Sequence, residues 1–231
     1  MRKLGLIGGM SWVSTRTYYE HLNRIVQKRR GGTASAPLLI ESLDFADLAQ
    51  LSSELGWDQA ANVLSDSAKR LEAAGAGALI IAANSMHRVY DQVAAAVSIP
   101  IIHIADSVGR RMAEKKVKTA ALLGTSAVMT ETFYRQRLIA HGVTLLPPDM
   151  TGIPQIEKLI YDDLMRDKPS RAAERACKTW ITQQAQRGAQ AIVLACTELE
   201  MAVDVDANVL PIYDGTQIHA EAAADWLLAR E

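Results

Sequence analysis

An internal repeat constrains this 231-residue chain more than any other feature. Leu71-Glu72-Ala73-Ala74-Gly75-Ala76-Gly77-Ala78-Leu79-Ile80-Ile81-Ala82-Ala83-Asn84-Ser85 aligns with Gln184-Ala185-Gln186-Arg187-Gly188-Ala189-Gln190-Ala191-Ile192-Val193-Leu194-Ala195-Cys196-Thr197-Glu198. Gly75 to Gly188 and Ala83 to Cys196 are both steps of 113. Each copy reads as a helix end, a C-cap glycine, a buried strand and a small polar cluster. Two flanking pairs keep the same order. Leu6-Ile7-Gly8-Gly9 matches Leu122-Leu123-Gly124-Thr125 at a step of 116, and Pro100-Ile101-Ile102-His103 matches Pro211-Ile212-Tyr213-Asp214 at 111. Two similar halves are expected, facing each other across a cleft.

Short apolar runs alternate with stretches of helical period, the pattern of α/β architecture with parallel strands. Strands are expected at 4–7, 37–42, 78–82, 100–104, 119–124, 143–146, 191–195 and 209–213. They read as continuously apolar, as when helices cover both faces of a sheet. Helices are expected at 14–30, 58–74, 86–97, 106–115, 130–141, 153–166, 170–187 and 216–229. Ligands of open parallel sheets bind beyond the carboxyl ends of the strands, where this chain carries Asn84-Ser85 and Cys196-Thr197.

Composition narrows the function classes. Twenty-five basic against 26 acidic side chains leave no cationic surplus for phosphates, so no nucleic-acid partner is expected. The longest apolar runs fall far short of the ~20 residues that span a bilayer, so no membrane partner is expected either. The apolar stretch Leu4–Ile7 is too short for a secretory signal and glycines break it. Only two cysteines, Cys177 and Cys196, are present and they form no Cys-x-x-Cys pair. A cytoplasmic protein is the expectation. Five histidines show no metal-ligand spacing, so no metal is expected.

The residues able to carry chemistry gather at the expected strand ends. A thiol at a strand-to-helix turn gains from nearby backbone N–H groups, which favour the thiolate, so Cys196 is the candidate nucleophile or acid/base. Cys177 lies mid-helix and reads as structural. Gly5-x-x-Gly8-Gly9-Met10-Ser11 lacks both established phosphate-loop patterns, yet its N–H groups and Ser11 can receive a carboxylate. Asn84, Ser85, Thr125, Ser126 and Thr197 supply neutral donors, although each alone is equally suited to capping a helix. His87 follows Asn84 by one turn and either orients the site or caps. His219 reads as structural, and Trp12, Tyr18 and Tyr19 read as packing.

Taken together, Gly8-Gly9-Met10-Ser11-Trp12, Ala83-Asn84-Ser85-Met86-His87 and Ala195-Cys196-Thr197-Glu198 resemble the aspartate/glutamate racemase family. The bacterial branch of broad-specificity or L-aspartate/glutamate-specific amino-acid racemases is the most similar. Ser42-x-Asp44-Phe45, Leu123-Gly124-Thr125, Phe133-Tyr134 and Ile218-His219-Ala220-Glu221 extend the resemblance over nearly the whole chain. It implies two pseudo-symmetric, flavodoxin-like parallel-sheet domains with the active site in the cleft between them. The expected division is 1–98 plus 208–231 against 99–207, the last strand and helix returning to the first domain. It further implies no cofactor, a small amino-acid or carboxylate substrate and a homodimer. In the family mechanism two thiols flank Cα, one removing a proton and the other delivering one to the opposite face. The resemblance assigns substrate contacts to Met10, Ser11, Asn84, Ser85, Thr125 and Thr197, and the substrate ammonium to Glu198.

One catalytic position departs from the pattern. The first acid/base falls on Ala83, where relatives carry Cys or Thr, and a methyl group can neither donate nor accept a proton. The lysine and arginine that some aspartate racemases carry near the substrate are also missing, at Met165 and at Ala46-Asp47. Three accounts of Ala83 stand: a replaced Cys or Thr, a second proton from water, Ser85 or His87, or a one-thiol reaction. A single-cysteine decarboxylase of substituted malonates and an inactive small-carboxylate binding protein therefore remain alternatives to the racemase.

Overall fold

The computed structural model describes residues 2–54 and 56–229. In chain order the elements are β1 (Leu4–Gly8), α1 (Trp12–Arg30), β2 (Leu38–Ser42), α2 (Phe45–Glu54), α3 (Trp57–Ala73), β3 (Ala78–Ile81), α4 (Tyr90–Ala95), β4 (Ile101–Ile102) and α5 (Ile104–Glu114). They continue with β5 (Thr119–Gly124), α6 (Ser126–Thr130), α7 (Thr132–Ala140), β6 (Thr144–Leu145), α8 (Ile153–Asp162), α9 (Arg171–Gln186), β7 (Ala191–Ala195), β8 (Ile212–Asp214) and α10 (Gly215–Leu228). Short 3-10 turns follow β3, α8 and β7.

The strands form two four-stranded parallel sheets with the same topology, β2-β1-β3-β4 and β6-β5-β7-β8. The repeat seen in the sequence is therefore a repeat of supersecondary structure, down to its hydrogen bonds. Gly75 and Gly188 take φ of 94° and 96°. In each copy the next residue's N–H closes the helix, Ala76 on the Leu71 carbonyl and Ala189 on the Gln184 carbonyl, both at 3.0 Å. That left-handed helix stop is available to glycine without steric cost.

The chain divides into two compact units, Met1–His103 with His219–Glu231, and Ile104–Ile218. This differs from the division drawn at 98 and 208. β4 pairs with β3, so residues 99–103 stay with the first sheet, and β8 pairs with β7, so the last strand completes the second sheet. Only the part of α10 from His219 onward belongs to the first unit.

Alternation along the strands explains the layers. In the first unit Leu79 and Ile81 point to one face, packing with Ala60, Leu64 and Ala68 of α3. Ala78 and Ile80 point to the other, against Tyr18 and Leu22 of α1 and Ala223, Ala224 and Leu227 of α10. In the second unit β5 and β7 sit in one core with Ile156 and Ile160 of α8 and Cys177 and Ile181 of α9. The edge strands β2, β4, β6 and β8 are not fully buried; Ile40 of β2 is 40% exposed. Of the aromatic cluster in α1, only Tyr18 packs in the core, while Trp12 and Tyr19 are exposed. No described helix is long and apolar enough to cross a membrane.

Candidate functional site

The first unit brings Gly8–Ser11 and Ala83–Ser85 to the carboxyl ends of β1 and β3. Gly9 turns the chain at φ 82°, and a Cβ there would fall 2.0 Å from the Leu43 carbonyl oxygen. Its N–H donates to Thr15 Oγ1 at 2.7 Å, and the Thr15 hydroxyl donates to the Ser11 carbonyl at 3.0 Å. Ser11 Oγ accepts from the Ser14 N–H at 3.4 Å and caps α1. Met10 and Ser11 are both buried.

Past the end of β3 the Ala83 methyl is followed by Asn84, which is 5% exposed with no hydrogen-bond partner for either amide atom among the described residues. A buried amide left unpaired costs about 1–3 kcal/mol. A side-chain amide of this kind presents one donor and one acceptor to a ligand. Ser85 is half-buried and opens the following 3-10 turn.

His87 donates its Nδ1–H to the Ala83 carbonyl at 2.9 Å. Its ring meets His103 at 4.4 Å and His219 at 5.8 Å between centroids. Burial pushes His219 down to about 4, so its ring is neutral at pH 7. Its Nε2–H donates to the Ile102 carbonyl at 2.8 Å, and Nδ1 accepts the Tyr18 hydroxyl at 2.7 Å. These histidines thus hold the ends of β3 and β4. Among the described residues no group of three His, Cys, Asp or Glu is placed to hold a metal ion.

The second unit carries the thiol. Gly124 pairs with Ala195 across β5 and β7, so Thr125 and Cys196 are the first residues past two adjacent strands. A Cβ on Gly124 would sit 2.8 Å from the Ala195 carbonyl oxygen, so only glycine permits this approach. The Thr125 hydroxyl is buried with no hydrogen-bond partner. Cys196 Sγ–H donates to Glu198 Oε2 at 3.1 Å, and the Thr197 hydroxyl donates to the same oxygen at 2.8 Å.

These contacts reverse the expectation that Cys196 is stabilised as a thiolate. Burial first, and then the Glu198 charge, push its thiol well above the ordinary cysteine value. The Glu198 backbone N–H pulls the other way, as expected from sequence, and is outweighed. The turn there is five residues of 3-10 helix, too short to build a strong dipole. Cys196 is therefore a protonated donor with a carboxylate poised to take its proton. Cys177 is fully buried on α9, its thiol pushed up to about 11 by burial alone.

Sequence reading missed Glu157 and Tyr161. They lie four apart on α8, hence on one helix face. Glu157 Oε1 accepts the Ser126 N–H at 3.0 Å, next to Thr125. The Tyr161 phenol is raised first by burial and further by the nearby acidic groups, Glu157 and Glu198 among them. No sequence signal marked the pair, because a Glu–Tyr spacing of four is common on any amphipathic helix.

The two sheets share one topology, each has small polar residues at its strand ends, and a buried thiol–carboxylate pair lies at the end of the second. The chain belongs to the Asp/Glu/hydantoin racemase family, whose model matches residues 7–223. It is 22% identical to the broad-specificity amino-acid racemase RacX of Bacillus subtilis, over 98% of each chain. It is also similar to a provisionally assigned Asp/Glu racemase from Yersinia pestis, with 37% identity over 99% of this chain and 100% of that one, and a TM-score of 0.91. An aspartate racemase homologue from Pyrococcus horikoshii OT3 superposes with a TM-score of 0.87, at 28% identity over 99% of this chain and 100% of that one.

Proposed function

We propose that the protein is a cofactor-independent amino-acid racemase that moves a proton at Cα through Cys196. The observation carrying this reading is the hydrogen bond from Cys196 Sγ to Glu198 Oε2 at 3.1 Å. Passing the thiol proton along that contact leaves a thiolate and a neutral carboxyl group. The thiolate then takes the α-proton, and the electron pair of the broken C–H bond delocalises into the substrate carboxylate. Return of the proton from sulfur to carbon closes the cycle, and the Glu198 proton restores the resting pair.

The enediolate needs donors already in place, because charge builds on its oxygens. In the second unit the Thr125 hydroxyl, without a hydrogen-bond partner among the described residues, supports this reading; in the first unit the Asn84 amide, Ser85, Met10 and Ser11 are the donors that the family resemblance assigns to the substrate. The reading changes two earlier roles: Glu198 serves the thiol rather than the substrate ammonium, and Thr197 orients Glu198 rather than contacting the substrate. At the equivalent place in the first repeat, Ala83 supplies no proton. Return of the proton by Cys196 regenerates the starting enantiomer, and inversion takes its proton from water on the opposite face, the hydroxide left being neutralised by the Cys196 thiol, so exchange outruns inversion in this chain.

The test is α-proton exchange in D₂O with a panel of L- and D-amino acids. Exchange that disappears in Cys196→Ala supports the proposal. Exchange retained in that variant, or absent throughout, rejects it. Release of CO₂ from a substituted malonate, lost in Cys196→Ala, would instead identify the one-thiol decarboxylase, for which a lone protonated sulfur is sufficient. Tight binding of carboxylates without chemistry in any variant would identify a binding protein.

A further inference from the structure

A concavity of the second unit, about 510 Å³ in volume, lies between α9 and the segment that follows the 3-10 turn Thr197–Met201. Its floor is apolar: Ile181, Ala202 and Val203 are all buried. Its rim is charged, with Glu174, Arg175 and Lys178 on α9 and Asp204 on the facing segment. An apolar base with a few convergent polar groups, at this volume, is the form of a small-molecule site. Glu174 and Lys178 lie four apart, a spacing at which helices pair opposite charges. Glu20 with Arg24 and Lys158 with Asp162 use the same spacing and do pair. Glu174 and Lys178 make no ion pair, and Arg175 makes none with any acid among the described residues. The cavity thus keeps charges of both signs open to a ligand.

A simple anion here would meet Glu174 and Asp204, and a simple cation would meet Arg175 and Lys178. A molecule carrying both charges on a small apolar body satisfies both sets, with charge-assisted hydrogen bonds at each end. The floor is also tied to the thiol. The Leu199 N–H donates to the Cys196 carbonyl at 3.2 Å, and the Ala202 and Val203 N–H groups donate to the Leu199 carbonyl at 3.0 and 2.9 Å. Ala202 and Val203 therefore close the hydrogen-bonded turn that presents Glu198. We propose that this cavity is a second, activating site for a zwitterionic α-amino acid. Arg175 and Lys178 receive its carboxylate, Glu174 and Asp204 its ammonium, and the apolar floor its side chain. A ligand that binds the ordered turn more tightly raises the share of chains with Glu198 in place. The activation rests on the racemase reading, whereas the binding site does not.

The probe is α-methylleucine, which has both charges and no α-proton and so cannot react. Amide hydrogen exchange at Ala202 and Val203 is expected to slow roughly fivefold or more when it is added. That protection should vanish in the double variant Arg175→Gln, Lys178→Gln and weaken in Glu174→Gln, all at exposed positions. Leucinamide, without the carboxylate, and 4-methylpentanoate, without the ammonium, should each fail to protect. For the amino acid that exchanges its α-proton fastest, the native rate should rise sigmoidally with concentration. The double variant should follow a hyperbola, with a limiting rate lower by roughly fivefold. Protection that survives in the double variant would place the probe elsewhere and overturn the inference. Equal protection by 4-methylpentanoate, no protection at all, or hyperbolic kinetics in the native chain would also overturn it. If no amino acid exchanges, the racemase reading fails by itself, and the amide protection alone decides whether the cavity binds a zwitterion.

Discussion

The Cys196 thiol donates a hydrogen bond to Glu198 Oε2 at 3.1 Å inside the second unit, and the Thr197 hydroxyl donates to the same oxygen at 2.8 Å. This contact decides how the sulfur behaves. A thiol in this setting stays protonated until the carboxylate takes its proton, so the pair works as one unit rather than as an exposed nucleophile.

Glu198→Gln removes the charge while keeping an acceptor oxygen. The Cys196 thiol is raised partly by that charge, so its pKa should fall, and pH titration of its absorbance at 240 nm should show the drop. Proton exchange should nevertheless slow at least tenfold, because the acceptor for the thiol proton is lost. An unchanged thiol titration would show that burial alone sets this pKa.

Asn84 leaves both amide atoms unpaired in the buried end of β3. Replacing it by leucine removes that unpaired group at similar size, so Asn84→Leu should stabilise the protein by about 1 kcal/mol in chemical denaturation while abolishing exchange. A clear loss of stability would mean that the amide serves the fold.

The same turn chemistry makes Gly9 the most sensitive position of the first half-site. Gly9→Ala combines a positive φ with a Cβ 2.0 Å from a backbone oxygen. The loop must move, and we expect a loss of about 3 kcal/mol or more together with loss of activity. A variant with native stability would contradict the turn geometry.

His219 ties stability to pH. Its folded pKa of about 4 lies below the unfolded value of about 6.5. Between those values the unfolded chain binds the extra proton, so stability falls as pH drops through that window and is unaffected by this group above it. Comparing denaturation at pH 7.5 and 4.5 should show a loss of roughly 2–3 kcal/mol from this residue, by integrating the linkage between the two pKa values. His219→Gln should remove that share of the slope. An identical pH dependence in the variant would contradict the buried neutral ring.

The repeat made the fold legible from sequence, because C-cap glycines and all-apolar strands leave marks at fixed spacing. Gly75 and Gly188 were readable for that reason, and so were β3 and β7. The boundaries of the units were not. β4 and β8 are two and three residues long, and their sheet membership depends on pairing partners that local pattern does not encode. α2 lacked a strong start signal and was missed. At the site, Asn84, Thr125 and Cys196 stood out as polar residues ending apolar runs. The protonated state of Cys196 did not, since it follows from burial and from where the Glu198 side chain turns. Glu157 reaches the site only through the packing of α8, which no short motif reports.

The central claim is that one thiol, Cys196, works on one face of Cα, and that Ala83, its counterpart in the first repeat, supplies no proton. The decisive measurement follows α-deuterium incorporation by NMR and loss of optical activity in the same D₂O reaction, for the native chain and for Ala83→Cys. The account predicts that native exchange exceeds inversion at least tenfold, and that the restored thiol brings inversion up to the rate of exchange. Inversion as fast as exchange in the native chain, or no gain of inversion in Ala83→Cys, would contradict it.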